Sequence, residues 1–573
     1  MKCDLSGDKP LPAQWIGWLN QISEETRRPI VGLVDTLSRN YSDHLAWICS
    51  PIACRNPYSS SFINDLNLLC LALRVADNQE DLTDVVMPSA ALASVFRREL
   101  WRRGRRNIQV RVRPWRLRDS VRLRTLYRLF AAGYHAMARF ISSRAANIRD
   151  MPVPRVPIVL VDTFVYSDSF LDGFRDRHYP ELLDLINDRE KSEIFFVPTC
   201  YKVKNYFRQF LEIKRSGVQF LVKDSFLSFG DYLTALRDAW SLPDPAKDMC
   251  CGFMGMDISE VVSDAVDNSR MSSGLIEGLL TYRFIRRLKE RGVNVRLAVD
   301  WFENHELDKG FNAAFRRYYP DADSIGYQGF VVSKDYLCMF PSAYDYEGQL
   351  IPKRVAVMGN GLIAGVKEFC PELNVFSAPA LRFRAVWQPL SERAGQAVFS
   401  ILVALPIFER DARELIQAVC GAVRVHLSLR GNNRTWRVFV KAHPASRRLS
   451  VAEGEEMGIQ YVNGSFQSAL ESADVLVSNT SSVCLESVAR GVPVIVVGGR
   501  YGVTHNPIPS AVPEEIWTLC LEVEEIHRAL LRFSDRRTET LRERCKLSDE
   551  VKKRYFEPVS ADAVRHMLGF CGP

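Results

Sequence analysis

Short apolar runs alternate with amphipathic stretches along most of this chain. Runs rich in β-branched residues predict strands in the first two thirds, at residues 30–34, 85–87, 108–112, 158–161, 194–197, 218–222, 293–299, 354–357 and 375–377. Apolar residues at helical spacing predict helices between them, among them 62–76, 206–216 and 275–291. Such alternation favours parallel sheets with helices on both faces.

The last third shows the same alternation more regularly. Its predicted strands are 399–405, 436–440, 459–462, 474–478 and 492–497, with helices at 410–423, 466–472 and 482–490. Residues 379–396 have no clear period and separate the two series, so we predict domains at 1–385 and 386–573. The predicted fold class is α/β, with two doubly wound Rossmann-like domains.

Composition narrows the class of protein. Hydrophobic residues make up 47% and charged residues 25% of 573 residues, which is typical of a soluble globular protein of more than one domain. No apolar run reaches the roughly 18 residues of a spanning helix, and the first residues lack the apolar core of a secretory signal. The 14 cysteines are scattered, with no CxxC pair. Scattered cysteines in apolar runs are typical of free thiols, so we expect a reducing compartment, most simply the cytoplasm.

One segment concentrates positive charge. Residues 97–149 contain 16 Arg and no Lys against Glu99 and Asp119, beginning with Arg102, Arg103, Arg105 and Arg106. A solvated helix face explains such a run, and so does a surface that contacts anionic lipid of the inner membrane. No nucleic acid is expected as a partner, since zinc-finger spacing, an RNP-like pattern and a recognition helix are all lacking.

Small polar residues follow two predicted strands of the last third. Strand 436–440 leads into Lys441, His443 and Pro444, and strand 474–478 leads through Asn479 and Thr480 into Ser481 and Ser482 at the start of a helix. A helix start presents free N–H groups that bind phosphate, although plain capping needs one such residue as well. Glu486, one turn further, either accepts ribose hydroxyls or is an exposed helix residue.

The ordered set His443-Pro444, Ser481-Ser482, Glu486 and Gly491-Val492-Pro493 resembles the donor half of GT-B glycosyltransferases. It is most similar to bacterial sialyltransferases, Kdo transferases and teichoic-acid glycerophosphotransferases, which use cytidine nucleotides. The resemblance covers residues 396–510 and implies a C-terminal donor domain and an N-terminal acceptor domain. It also implies that His443 contacts or protonates the donor phosphate, that Ser481 and Ser482 hold that phosphate, and that Glu486 holds ribose. The donor site is therefore assigned to Lys441, His443, Pro444, Asn479, Thr480, Ser481, Ser482 and Glu486.

The acceptor half requires a group that deprotonates the acceptor or attacks through it. Asp35, Asp162 and Asp300 follow predicted strands, and Glu303 lies just behind Asp300; strand-end acids also act as caps. We take Asp162, Asp300 and Glu303, with His443, as the catalytic candidates. The candidates for lining the acceptor cleft are Trp301, Asn304, Tyr327 and Gln328.

No metal or other cofactor is expected. Asp345-Tyr346-Glu347 has the spacing of a metal-binding DxD motif, but we place it in a loop without a second acidic cluster. A helix start and His443 can offset the charge of a leaving phosphate without metal.

The sequence therefore predicts transfer of a sugar from a nucleotide donor to a bacterial surface glycan, lipopolysaccharide or capsule. The donor is expected to be CMP-linked, with Kdo or a sialic-type sugar. A CDP-glycerol-type polyol-phosphate transferase is the alternative enzyme. A non-catalytic Arg-rich scaffold that binds nucleic acid or membrane is the alternative from another class.

Overall fold

A computed structural model describes residues 1–114, 120–331, 333–388, 398–428, 435–443, 459–535 and 541–570 of the chain. The strands, numbered in chain order, are β1 Lys2–Asp4, β2 Asp84–Met87, β3 Gln109–Val112, β4 Ile158–Val165, β5 Ile194–Cys200, β6 Gly252–Phe253, β7 Met256–Asp257, β8 Val295–Trp301, β9 Asp323–Gln328, β10 Arg354–Val357, β11 Asn374–Ser377, β12 Val398–Ala404, β13 Thr435–Lys441, β14 Gln460–Tyr461, β15 Val475–Ser478, β16 Val494–Val497 and β17 Trp517–Cys520. The α-helices are Ala13–Arg39, Leu45–Ile48, Phe62–Asn78, Ala90–Arg102, Val121–Ala145, Asp188–Lys191, Tyr206–Arg215, Lys223–Phe226, Phe229–Trp240, Ser259–Ser269, Ser273–Glu290, Glu306–Tyr318, Ala343–Glu347, Ile363–Val366, Glu409–Ser428, Phe466–Glu471, Val483–Ala489, Val523–Asp535, Leu541–Tyr555 and Ala561–Met567.

Two six-stranded parallel sheets form the centre of the fold. The first has the order β11-β10-β9-β8-β4-β5 and the second the order β14-β13-β12-β15-β16-β17. Numbered within each sheet, these orders are the two common doubly wound arrangements, in which the order of successive strands reverses at one switch point. The switch points lie between β4 and β8 in the first sheet and between β12 and β15 in the second. The predicted α/β class with two Rossmann-like sheets is therefore confirmed.

Both faces of each sheet are covered, which explains the apolar strands. Side chains alternate along a strand. In β4, Ile158 and Leu160 join the hydrophobic cluster on one face of the first sheet, while Val159 and Val161 join the cluster on the other. In β12, Ile401 and Leu402 likewise belong to different clusters.

A third, smaller sheet was not predicted as a separate unit. β1, β2 and β3 pair in parallel in that order, near the N-terminus. The sequence located β2 and β3 but assigned them to no sheet of their own. It also missed β1, β6, β7, β9 and β17.

Two predicted strands are wrong. Residues 30–34 belong to helix Ala13–Arg39, where the apolar run contributes to a buried face at helical spacing. Asp35 is therefore a helix residue, and its carboxylate accepts a hydrogen bond from Ser342 Oγ at 2.8 Å. Residues 218–222 make one isolated bridge, Phe196 with Phe220, before helix Lys223–Phe226. Short apolar runs do not distinguish strand from buried helix or loop.

The end of the chain returns to the first sheet. Helix Ala561–Met567 places Val564 and Met567 in a hydrophobic cluster of that sheet. Before it, Glu557 N donates to Met358 O at 2.6 Å, next to β10. The domain boundary at residues 385 and 386 stays a prediction. The last helix contacts the first sheet, although in the sequence it follows the second.

The Arg-rich segment is not one continuous basic face. It includes helix Ala90–Arg102, β3 and helix Val121–Ala145, and its residues 115–119 lie outside the described part of the chain. Arg102 pairs with Glu99 at 2.8 Å, Arg103 pairs with Asp77, and Arg105 donates to Gln79 O at 2.9 Å. Many of these arginines therefore hold the fold together. Within the described residues, no helix has both the length and the hydrophobicity needed to cross a bilayer.

Candidate active site

The carboxyl ends of the two sheets face a common cleft. Ligands of doubly wound sheets bind beyond the carboxyl ends of strands, at the switch point. His443 follows β13 of the second sheet, and its pKa is lowered by burial and by the nearby cations of Arg382, Lys202 and Arg177. Lys202 follows β5 and Arg177 follows β4, so both belong to the carboxyl edge of the first sheet. Two Rossmann-type sheets that meet at their carboxyl edges form the GT-B arrangement.

Small polar residues lie at the switch point of the second sheet, as predicted. Ser478, the last residue of β15, is buried and donates through Oγ to Ala404 O of β12 at 2.9 Å. The next residues turn sharply: Asn479 Oδ1 accepts from Thr480 N at 2.8 Å, and Ser481 Oγ accepts from Val483 N at 3.4 Å. Ser482 precedes helix Val483–Ala489 and makes no side-chain capping hydrogen bond. Thr480, Ser481 and Ser482 are all half-buried, and this turn lies at the same edge of the sheet as His443, because β15 and β13 both run parallel to β12.

Two further donor-site candidates end β13. Lys441 is the last residue of the strand, and its Nζ donates to Gly464 O. His443 is half-buried, and its lowered pKa makes its imidazole neutral near pH 7. Pro444 lies outside the described residues. A neutral imidazole has one N–H donor and one acceptor nitrogen. It can therefore donate a hydrogen bond to a phosphate oxygen without being positively charged.

Glu486 is not an exposed helix residue. Its side chain is only 3% exposed, and burial raises the pKa of its carboxyl to about 7. Gln467 Nε2 donates to Glu486 Oε1 at 3.4 Å, while Arg490 and Arg382 favour the charged form. The predicted contact between Glu486 and the ribose of the donor stays a prediction.

The acidic candidates Asp162 and Asp300 lie deeper than predicted. Both are inside strands, because β4 continues to Val165 and β8 to Trp301, and each is only 1% exposed. Burial raises the pKa of both carboxyls. Asp300 Oδ2 accepts from Asn312 Nδ2 at 2.6 Å, whereas Asp300 Oδ1 and both Asp162 oxygens have no hydrogen-bond partner among the described residues. These two acids flank the switch point of the first sheet but are not strand-tip groups.

Glu303 is a carboxylate of this half that reaches the cleft. Its side chain is 33% exposed; Trp301 Nε1 donates to Oε1 at 2.9 Å, and His305 Nδ1 lies 3.2 Å from Oε2. The turn is fixed from behind, because the Asp308 carboxylate accepts from Glu303 N at 3.0 Å and from His305 N at 2.9 Å. Asn304 takes the left-handed conformation, with φ 55°, that turns the chain there.

The four residues assigned to the acceptor cleft have buried side chains. Trp301 packs with its ring centroid 5.8 Å from that of Tyr327, whose hydroxyl donates to Pro379 O at 2.6 Å. Asn304 Nδ2 donates to Cys338 O at 2.8 Å, and Gln328 Nε2 donates to Met339 O at 2.9 Å. These contacts hold the loop that carries Glu303. Direct contact with an acceptor stays a prediction.

Sequence reasoning missed the cations of the cleft. Arg382 lies in the aperiodic segment between the two series, and its guanidinium is 5.6 Å from the centroid of the Trp301 ring. The Arg382 side chain is exposed to solvent. Partial desolvation by neighbouring protein atoms lowers its pKa, whereas the negative charges of Glu303 and Glu486 raise it. It therefore lies between acids of the two halves. A single arginine in a connecting segment carries no motif, so no sequence signal could have identified it.

The expected metal independence stays a prediction. Asp345 is not in a loop, because it belongs to helix Ala343–Glu347. Its carboxylate accepts from Arg55 Nη2 at 2.6 Å and pairs with Lys309, so it serves a buried ion-pair network. No three His, Cys, Asp or Glu side chains in the described part of the chain are grouped so as to hold a metal ion.

No family model and no curated protein matches this chain. Among solved structures, it is similar to a calicheamicin glycosyltransferase, with 14% identity over 73% of this chain and 100% of the other and a TM-score of 0.40. A putative UDP-N-acetylglucosamine 2-epimerase from Listeria monocytogenes matches with 12% identity over 72% and 95%, and a TM-score of 0.40. An Anabaena protein in complex with UDP and glucose matches with 8% identity over 72% and 98%, and a TM-score of 0.38. Identities and TM-scores this low indicate no activity for this chain.

Proposed function

We propose that the chain is a GT-B glycosyltransferase that binds a nucleotide sugar at the second sheet and its acceptor at the first. The observation that carries this proposal is the shared cleft, with Glu303 on one side and His443 and the Ser481–Ser482 turn on the other. In this arrangement a base on one sheet faces a phosphate site on the other.

The proposed donor is a CMP-linked acidic sugar such as Kdo or a sialic-type sugar. Support comes from the three cations near His443, namely Arg177, Lys202 and Arg382. A donor of this kind brings both a phosphate and a sugar carboxylate, and each needs a positive partner in a cleft partly screened from water. A CDP-glycerol-type donor brings phosphates alone and is the alternative that the donor assay decides.

The proposed step uses groups on both sheets. Glu303 takes the proton of an acceptor hydroxyl as that oxygen bonds to the anomeric carbon of the sugar. The bond from this carbon to the donor phosphate breaks, and its electron pair stays on the phosphate oxygen. Ser481, Ser482 and the neutral imidazole of His443 donate hydrogen bonds to the leaving phosphate. The step requires no metal.

The proposed acceptor is a bacterial surface glycan or its lipid-linked form, as in lipopolysaccharide or capsule synthesis. Two tyrosines at the carboxyl edge of the first sheet support a sugar site: the rings of Tyr166 and Tyr201 lie 5.6 Å apart, and Arg177 lies 4.5 Å above Tyr166. Aromatic faces beside cations suit acidic sugars. Because nucleotide sugars are cytoplasmic substrates, we propose a cytoplasmic location, with contact to the inner membrane through residues 97–149.

Thermal unfolding with a panel of nucleotides tests the donor. We expect CMP to raise the Tm more than CDP, UDP, GDP or ADP, since a ligand at about 100 times its Kd adds about 2.7 kcal/mol of stability. His443→Ala should reduce the shift. Consumption of CMP-Kdo, a CMP-sialic acid or CDP-glycerol then separates the two enzymes. If no nucleotide shifts the Tm, the proposed donor site is wrong.

A further inference from the structure

Helix Val121–Ala145 exposes an apolar stripe. Seven large apolar side chains of this helix are exposed, at Leu123, Leu126, Tyr127, Phe130, Tyr134, Met137 and Ile141. Their spacing of three and four residues places them within about 100° of the helix circumference. Phe130 is 75% exposed and Tyr127 is 73% exposed, so the stripe is not covered by the rest of the chain described here.

The opposite face of this helix is fixed to the protein. Thr125 and Ser143 are its buried residues. Its arginines on that side bind inward: Arg139 contacts Asp224 at 2.8 Å and Glu277 at 2.6 Å, and Arg128 donates to Asn268 O at 2.5 Å. The stripe is therefore presented outward by a firmly docked helix.

Charge indicates what covers the stripe. The helix contains five Arg and no Asp or Glu. A second copy of the chain, packed stripe to stripe, would bring the exposed Arg122 of one helix against the cations of the other, with no carboxylate on either helix to pair with it. An anionic bilayer instead supplies apolar chains for the stripe and phosphates for these cations.

We infer that helix Val121–Ala145 lies in the surface of an anionic membrane and buries its stripe among the lipid headgroups and upper acyl chains. Its Tyr and Phe side chains suit that depth, where one end of a ring is apolar and the other wet. The inference does not depend on the assignment of the donor.

Helix Val121–Ala145 contacts a helix that follows the carboxyl edge of the first sheet. His135 Nδ1 lies 3.3 Å from the hydroxyl of Tyr206, the first residue of helix Tyr206–Arg215. That helix starts four residues after Lys202, one of the cations near His443. Phe207, the next residue of that helix, is 41% exposed.

Vesicle flotation of the full chain tests the inference. We expect binding to vesicles of phosphatidylcholine with phosphatidylglycerol, and much weaker binding to phosphatidylcholine alone. Phe130→Ser should lower partitioning about tenfold or more, because a Phe side chain leaves the apolar layer. Leu427→Ser is the matched control, since Leu427 is 73% exposed on helix Glu409–Ser428 of the second half, and it should bind as wild type.

Three results would overturn the inference. One is wild-type protein that does not float with anionic vesicles, and another is Phe130→Ser binding as tightly as Leu427→Ser. The third is a concentration-dependent dimer, seen by sedimentation without vesicles, that Phe130→Ser abolishes while flotation persists; the stripe would then be a protein interface. Near-identical circular dichroism and Tm of both variants would show that the comparison concerns folded protein.

Discussion

The carboxyl edges of the two six-stranded sheets present their polar side chains in different ways. In the second sheet, β15 stops at Ser478 and the polar residues follow at once in a half-buried turn. In the first sheet, β4 and β8 run past Asp162 and Asp300, so these acids are enclosed. Glu303, a carboxylate that does face the cleft, belongs to the loop after β8. One edge therefore presents groups from strand ends, and the other presents a group from a loop fixed by Asp308.

The two groups of acids differ in their access to a substrate. Burial raises the pKa of Asp162 and Asp300, so these carboxyls tend to hold protons and are screened from substrate. Glu303 keeps solvent contact while both of its oxygens are held by neighbours. A base must reach the proton that it abstracts, so accessibility favours Glu303.

The largest expected effect separates these two kinds of acid. Glu303→Gln should lower kcat about 10²- to 10⁴-fold, the range for a lost general base, with donor affinity unchanged. Asp300→Asn is the matched control, because it replaces an enclosed carboxyl by a group of similar shape, and it should retain kcat within about threefold. Steady-state kinetics on a defined acceptor measure both. The reverse pattern would move the chemistry to the enclosed pair of acids.

The second prediction asks whether the carboxyl edge of the second sheet also contains an enclosed acid, Glu486. Its folded pKa of about 7 lies above the ordinary value of 4.5, so folding favours its protonated form. The associated stability is present below the unfolded pKa and is lost as the pH rises through the folded pKa. From about pH 5 to about pH 8, wild type should lose about 2–3 kcal/mol relative to Glu486→Gln. Urea unfolding of both proteins measures this, and parallel pH profiles would show that Glu486 is not buried as a carboxyl.

The smallest expected effect examines the turn of the second sheet. Ser481→Ala with Ser482→Ala should weaken nucleotide binding about 10- to 150-fold for each hydrogen bond lost, since a hydrogen bond to a charged group contributes about 1.5–3 kcal/mol. Ser478→Ala is the control, because its hydroxyl donates to Ala404 O and faces the interior. It should cost about 1 kcal/mol of stability and little affinity. Calorimetric titration decides; equal affinity of the double variant and wild type would place the phosphate elsewhere.

Much of the fold followed from hydrophobic periodicity. The strands of the second sheet other than β17, and most of those of the first, lie within a few residues of their predicted positions, because a sheet covered on both faces needs nearly continuous apolar runs. The same reasoning wrongly predicted a strand at residues 30–34, which belong to helix Ala13–Arg39. An apolar run of five residues fits a strand and one face of a buried helix equally well.

The sequence alone determined the two βα series and the positions of Ser481, Ser482 and His443 at strand ends, because these depend on local patterns and short spacings. The lengths of β4 and β8, which enclose Asp162 and Asp300, depend on the folded structure as a whole. So does the approach of Arg382, Lys202 and Arg177 to His443. The folded structure also decided that helix Val121–Ala145 turns three arginines inward and its apolar stripe outward. Strand length, approach and helix orientation arise from contacts between residues far apart in the chain, which no local pattern records.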